Sequence, residues 1–143
     1  MSTLATNSRA RYDYTIKETF DAGLVLEGRE VKSVKSGNVS LQGSYVTVNL
    51  DGANLVNCHI GPYKHAPSAD YDPTHSRKVL LHKKEISSLL GKEKGLTIIP
   101  LEIYATKRGW IKLKLGVGRA RKKLDKREYV KKRDTEREIR KSI

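Results

Sequence analysis

The stretch at residues 110–117 constrains the fold more than any other, because Ile111, Leu113, Leu115 and Val117 alternate with Lys112 and Lys114. A period of two residues belongs to an extended strand, whose successive side chains point to opposite faces. One face of this strand must therefore meet a core while the other stays cationic. Upstream, residues 96–104 have similar strand character, and Lys107-Arg108-Gly109 supplies the turn between the two. Pro100 interrupts the first strand and is expected at an edge or a bulge, since it has no N–H to give to a ladder.

The same reasoning divides the rest of the body into short extended pieces. Residues 14–16, 22–26 and 78–81 are candidate strands, and residues 44–50 and 54–60 flank Asp51-Gly52, a dipeptide suited to a two-residue hairpin turn. Two short helices are expected. In residues 28–37, Val31 and Val34 lie one turn apart while Arg29, Lys32 and Lys35 occupy other faces; in residues 83–90, Ile86, Leu89 and Leu90 mark one face ahead of Gly91. Residues 61–76, with Pro62, Pro67, Pro73, Tyr63 and Tyr71, form a long surface loop. Many short strands with few helices predict a mainly β chain. The build expected is a small antiparallel OB-like barrel with two or three short helices, because closure removes exposed strand edges.

Charge separates the chain into two regions, a barrel at 1–117 and a basic tail at 118–143. The net charge is +13 with a pI near 9.9, a balance that favours polyanions, nucleic acid first and anionic membrane second. The 26 residues of the tail carry 12 Lys and Arg against 5 Asp and Glu, about half of the whole excess. Beyond Leu124, Tyr129, Val130 and Ile139 are its only large apolar residues before the last, too few for an amphipathic stripe. The segment is nevertheless rich in helix formers, and Glu128/Lys132 and Glu136/Arg140 stand in the favourable i,i+4 order, each worth roughly 0.2–0.5 kcal/mol. Such a tail is expected to be disordered when free and helical once phosphate neutralises its charge.

Catalytic and metal-binding chemistry finds little support. Cys58, His59, His65, His75 and His82 fit no zinc spacing, and Cys58 is read as a small buried hydrophobe. Asp70 and Asp72 beside His65 and His75 could imitate a nuclease centre, but carboxylates in a Pro-rich loop are ordinarily solvated turn residues. There is no Walker-type phosphate loop. A non-enzyme without cofactor or metal is expected. A single cysteine points to a reducing compartment, and residues 1–8 lack a secretion signal, so a soluble cytoplasmic protein is expected. The clusters Arg9/Arg11, Arg29/Lys32/Lys35, Arg77/Lys78 with Lys83/Lys84, and Lys112/Lys114 are too many for solubility alone. Without the aromatic signature of sheet-stacking RNA domains, they indicate recognition of folded RNA by shape and backbone.

Several segments together resemble the SsrA-binding protein family (small protein B) of bacterial trans-translation. They are Asn7-Ser8-Arg9-Ala10-Arg11-Tyr12-Asp13-Tyr14, Asp21-Ala22-Gly23-Leu24, Gly28-Arg29-Glu30-Val31-Lys32-Ser33, His59-Ile60-Gly61-Pro62-Tyr63, Asp72-Pro73-Thr74-His75-Ser76-Arg77-Lys78-Val79-Leu80-Leu81 and Asp125-Lys126-Arg127. Each is weak alone, but their order and spacing are highly specific. The resemblance implies an OB-like barrel that grips the tRNA-like domain of transfer-messenger RNA near its elbow. The protein would stand in for the missing anticodon arm, and elongation factor Tu and alanyl-tRNA synthetase would be indirect partners through the RNA. It further implies that the tail enters the empty decoding centre, lined by 16S ribosomal RNA, and the mRNA channel of a stalled ribosome. The alternative is a ribosomal protein or other ribosome-binding factor built from the same basic barrel and tail.

By family position, RNA contact is carried over to Asn7, Arg9, Arg11, Asp21, Glu30, Lys32, Lys78, Leu80 and His82. Ribosome contact is carried over to Arg119, Arg121, Lys122, Lys123, Leu124, Asp125, Lys126, Arg127, Lys131, Lys132 and Arg133. Asp21 and Glu30 are open between two roles, accepting hydrogen bonds from base edges or ribose hydroxyls and orienting neighbouring Arg and Lys. Leu124 stands where the family commonly has an aromatic residue or His, so it can pack apolarly but cannot stack a ring. Asp21 stands where Glu is commoner and is shorter by one methylene.

Overall fold

A computed structural model describes residues 2–64, 70–92 and 95–142, without the side chains of residues 123, 125 and 138–142. His65 and Pro67 of the expected loop lie outside the described residues. Within them the chain runs β1 (Ser2–Thr6), α1 (Ala10–Asp13), β2 (Tyr14–Leu24), α2 (Gly28–Lys35), β3 (Val39–Ser40), β4 (Tyr45–Asn49), β5 (Gly52–Val56), β6 (His59–Ile60), β7 (Arg77–Leu80), α3 (Lys83–Leu90), β8 (Leu96–Ala105), β9 (Ile111–Ala120) and α4 (Lys123–Ser142).

The alternating strand anticipated at residues 110–117 is the seam of the fold. In β9, Ile111, Leu113, Leu115 and Val117 are buried while Lys112 and Lys114 are only half-buried. It pairs with β8 along one edge and β2 along the other. The opposite edge of β8 takes β1 at one end and β4, at Ile98, towards the other. Because β4 continues through β5 and β7 to β2, strands β8-β4-β5-β7-β2-β9 close into an antiparallel barrel, with β1 as an appendage. Closure leaves few edges unpaired, which is the advantage expected of a small barrel. The main core gathers Leu24, Val34, Leu55, Ile60, Ile103, Leu113 and Leu115 with the buried Cys58.

Departures from the sequence expectation have local causes. The two strands expected at 14–16 and 22–26 are one continuous β2, in which a register shift between Ile16 and Glu18 breaks the alternation and hides the continuity. The hairpin turn falls on Leu50-Asp51, one residue early, because Asn49 pairs with Gly52 and Asn49 Oδ1 accepts the Asp51 N–H at 2.9 Å. Residues 54–60 do not form one strand: Asn57 takes φ 64 and separates β5 from β6. Pro100 sits at a register shift before Glu102, the bulge its missing N–H requires. The tail forms the long helix α4.

Gly118 shows how tightly β9 crosses β2. A Cβ there would collide with the carbonyl group of Thr15, beside the β2 irregularity. Because the clash is with backbone and not with a flexible side-chain end, Gly118→Ala is expected to destabilise the fold by about 1–3 kcal/mol, read as a lowered urea midpoint with an unchanged slope.

Candidate RNA-binding surface

Strand periodicity decides which residues of β7 reach the surface. Arg77 and Val79 point inward at 2% exposure each, while Lys78 is exposed and Leu80 is 52% exposed. The cluster Arg77/Lys78 is therefore split, and Arg77 is an internal residue, a correction to its place among the surface cations. An inward arginine needs a buried acceptor, and Glu30, 1% exposed on α2, supplies it. Arg77 Nε and Nη2 lie 2.9 and 2.7 Å from Glu30 Oε2, and Nη1 donates to the Cys58 carbonyl at 2.6 Å. Tyr71 hydroxyl and His75 Nε2 approach the same carboxylate oxygen at 3.0 and 2.9 Å. Oε1 accepts the Glu27 N–H that opens α2, at 3.1 Å.

Glu30 thus has no exposed oxygen for a partner. Its oxygens are taken up by Arg77, Tyr71, His75 and the Glu27 N–H. Desolvation pushes its carboxyl up, but the Glu27 N–H, the Arg77 side chain and the Tyr71 hydroxyl outweigh that and hold it below its ordinary range. Burial pushes the Cys58 thiol up to about 11, in keeping with an inert hydrophobe. Tyr71 also lies 2.8 Å from the Ile60 carbonyl and carries Arg29 over its ring at 4.7 Å, so the described part of the 61–76 loop is tied to the barrel wall.

Other anticipated contacts gather at the end of the barrel beside this network. Asp21, Leu80 and His82 line one groove of about 760 Å³, together with Val25, Val31, Trp110 and Lys112. Asp21 is exposed and accepts from the Tyr104 hydroxyl at 3.0 Å; burial and that hydrogen bond raise the Tyr104 phenol. The His82 N–H donates to Glu85 at the start of α3. Lys32 is exposed on α2, with its ammonium 5.5 Å from the Tyr63 ring centre. Trp110, 68% exposed, is a member of this surface that sequence reasoning left out. Its position directly after Lys107-Arg108-Gly109 was the available signal: an aromatic at a cationic turn tip has no core to enter.

Asn7, Arg9 and Arg11 lie apart, around α1 at the opposite end of β2. Asn7 and Arg9 line a second hollow with Arg121 and Lys126. Asn7 is engaged in the fold, its amide donating to the Pro100 carbonyl at 3.0 Å. Along the tail, Leu124 is 66% exposed, and Lys122, Arg127, Lys131, Lys132 and Arg133 are exposed. Arg119 belongs to β9, and the side chains of Lys123, Asp125 and Arg140 lie outside the description. Among the described residues no group of three His, Cys, Asp or Glu could hold a metal, and no helix is long and apolar enough to cross a membrane.

Barrel, groove and basic helix define a polyanion-binding module without a described metal centre. Comparison with known proteins then fixes the family. The SmpB protein family model matches residues 4–143. The SsrA-binding protein of Coprothermobacter proteolyticus is 50% identical over 143 residues, covering 98% of this chain and 95% of that one. The SsrA-binding protein of Anoxybacillus flavithermus is 47% identical over 138 residues, covering 95% and 89%. A solved chain described as "tmRNA-SmpB: a journey to the center of the bacterial ribosome" superposes with a TM-score of 0.70 at 42% identity, covering 90% of this chain and 95% of that one. The chain belongs to the SmpB family.

The buried network yields a prediction on both stability and pH. Since the folded Glu30 carboxyl lies below its ordinary value of 4.5, its contribution is in place above that pH and is lost as pH falls through the lower folded value. Urea titrations are expected to show stability declining as pH falls below 4.5 and levelling off, for this group, below the lower folded value. Arg77→Met, which strands a buried carboxylate without its guanidinium, should cost about 3–5 kcal/mol at neutral pH.

Proposed function

We propose that this protein is a non-catalytic adaptor of trans-translation, which binds the tRNA-like domain of transfer-messenger RNA and delivers it to stalled ribosomes. The observation that carries the reading is the near full-length similarity to the solved tmRNA-SmpB chain, on a barrel whose groove and flanking cations suit folded RNA. Ribosomal work makes the bacterial cytoplasm its compartment. The barrel residues Arg9, Arg11, Asp21, Lys32, Lys78, Leu80 and His82 contact RNA, Asn7 and Glu30 position their neighbours, and Trp110 stacks an unpaired base at the groove. The tail residues from Arg119 to Arg133 probe the empty decoding centre and mRNA channel, with Leu124 packing apolarly there. Gel-shift titration tests the core of this reading: tight binding to isolated transfer-messenger RNA is required, and equal affinity for ribosomal RNA would sink it.

Backbone and base contacts separate by salt dependence. Lys78→Ala is expected to reduce the slope of log affinity against log salt by about one phosphate contact. Trp110→Ala should weaken binding by about 1–3 kcal/mol with the slope unchanged.

Truncation tests the division of labour. Because β9 pairs through Ala120 with Tyr14, the cut belongs after Lys122. Removing residues 123–143 is expected to leave binding to the isolated RNA largely intact while abolishing peptide tagging on stalled ribosomes. Equal loss of both would make the tail a general affinity arm.

A further inference from the structure

The tail does not leave the barrel freely. One residue beyond the end of β9, Arg121 is held to α1 twice: its N–H donates to the Asp13 carbonyl at 2.7 Å, and its Nε donates to the Arg11 carbonyl at 3.1 Å. In the first turns of α4, Lys126 Nζ lies 3.3 Å from the Asp13 carboxylate and 5.4 Å from the centre of the Tyr12 ring. The Tyr129 ring meets Tyr12 edge-on at 6.4 Å, and the Arg121 guanidinium covers Tyr129 at 4.5 Å. Tyr129 and Val130 are half-buried as a result, whereas residues 131–137 are exposed. Two of the tail's few apolar residues, Tyr129 and Val130, are thus packed near its root.

The base beneath is fixed. Ala10 is 2% exposed, in a small cluster with Ile99 and Leu101, and the Asn7 N–H donates to the Leu101 carbonyl at 2.8 Å. A helix of four residues, too short to be stable alone, is therefore anchored to β8 on one side and grips the tail on the other. Leverage makes this grip matter. At 1.5 Å per residue, the twenty residues of α4 span about 30 Å, so a change of about 20° at the root displaces the far end by about 10 Å.

The geometry points to α1 as a clasp, in which Tyr12 and Asp13 are positioning residues that dock the first turns of the tail helix and set its direction relative to the barrel. This rests on the proposed function only for its biological readout; the docking itself is intramolecular and is measured on the protein alone. Half-buried ion pairs and ring contacts that still reach water are individually weak, so the clasp biases direction and does not lock it.

The test uses the full chain with nitroxide labels at Thr47→Cys on β4 and Thr135→Cys on α4, both exposed positions, while the buried Cys58 stays unlabelled. The unaltered clasp is expected to give a narrow interlabel distance distribution. Tyr12→Ala with Asp13→Asn should broaden it and lower peptide tagging by about fivefold, with affinity for isolated transfer-messenger RNA falling less than tagging does, since the same two side chains also hold Arg9, 5.0 Å over the Tyr12 ring and 3.7 Å from Asp13. The charge-swapped pair Asp13→Lys with Lys126→Asp should restore narrow distances relative to Asp13→Lys alone. An unchanged distribution in the double variant, no recovery in the swap, tagging that persists despite broadening, or RNA affinity falling as far as tagging would each overturn the clasp. Failure of the parent protein to bind transfer-messenger RNA would instead overturn the functional reading and leave the distance result standing.

Discussion

A carboxylate and a guanidinium, each almost wholly removed from water, organise the wall of the barrel on which the groove is built. Glu30 and Arg77 come from α2 and β7, and their contacts extend to Cys58, Tyr71 and His75. Taking two ions out of water costs about as much as their attraction returns, so a pair of this kind contributes placement more than net stability. Placement matters here because the neighbours of these two residues face outward. Lys32 follows Glu30 on the next faces of α2, and Lys78 and Leu80 flank the inward Val79 on β7. Fixing Glu30 against Arg77 fixes the spacing between a cationic helix face and a cationic strand face. Among the described residues no buried side-chain polar atom is left without a partner, which is the condition under which a buried network can specify one geometry.

The same alternation that fills the core also builds the surface. Every second residue of β9 enters the barrel, and those between, Lys112 and Lys114, stand opposite Gly23 and Asp21 of β2. Asp21 is exposed yet held by Tyr104, a residue of β8 whose strand partner is Lys112. Acid, phenol and two lysines therefore share a small area at one end of the barrel, next to the apolar floor formed by Val25, Val31 and Leu80. A mixed floor of this kind can meet a base face and a phosphate together, which a purely cationic strip cannot.

Much of this was legible in the sequence where the signal was periodic. The α3 helix, the β9 alternation, the hairpin pairing and the bulge at Pro100 follow from residue patterns that tertiary packing did not overrule. The illegible parts share one cause, dependence on residues distant in sequence. Nothing in Ser2–Thr6 marks it as a strand until β8 presents an edge to it, and α1 becomes a helix because Ala10 fills a gap beside Ile99 and Leu101. Arg77 is read as a surface cation from charge clustering and Glu30 enters by family position alone, since neither strand nor helix pattern reveals that each supplies the other's burial. For the site, the family resemblance carried the positions, but only the fold separates residues lining the groove, Asp21, Leu80 and His82, from Glu30, which supports the wall from within.

The tail shows how a segment can lack a core and still be directed. Charge repulsion among its lysines and arginines opposes burial along most of its length, and its i,i+4 acid–base pairs add only tenths of a kcal/mol each to helicity. Direction has to come from its root, where Tyr129 and Lys126 meet Tyr12 and Asp13. Placing the apolar contact there and leaving residues 131–137 exposed keeps the distal cations available to a polyanion while their starting direction is set by the barrel. A tail with a longer apolar stripe would fold back on the barrel and hide those cations, and a tail with no contact at its root would carry no information about the orientation of the RNA bound to the barrel.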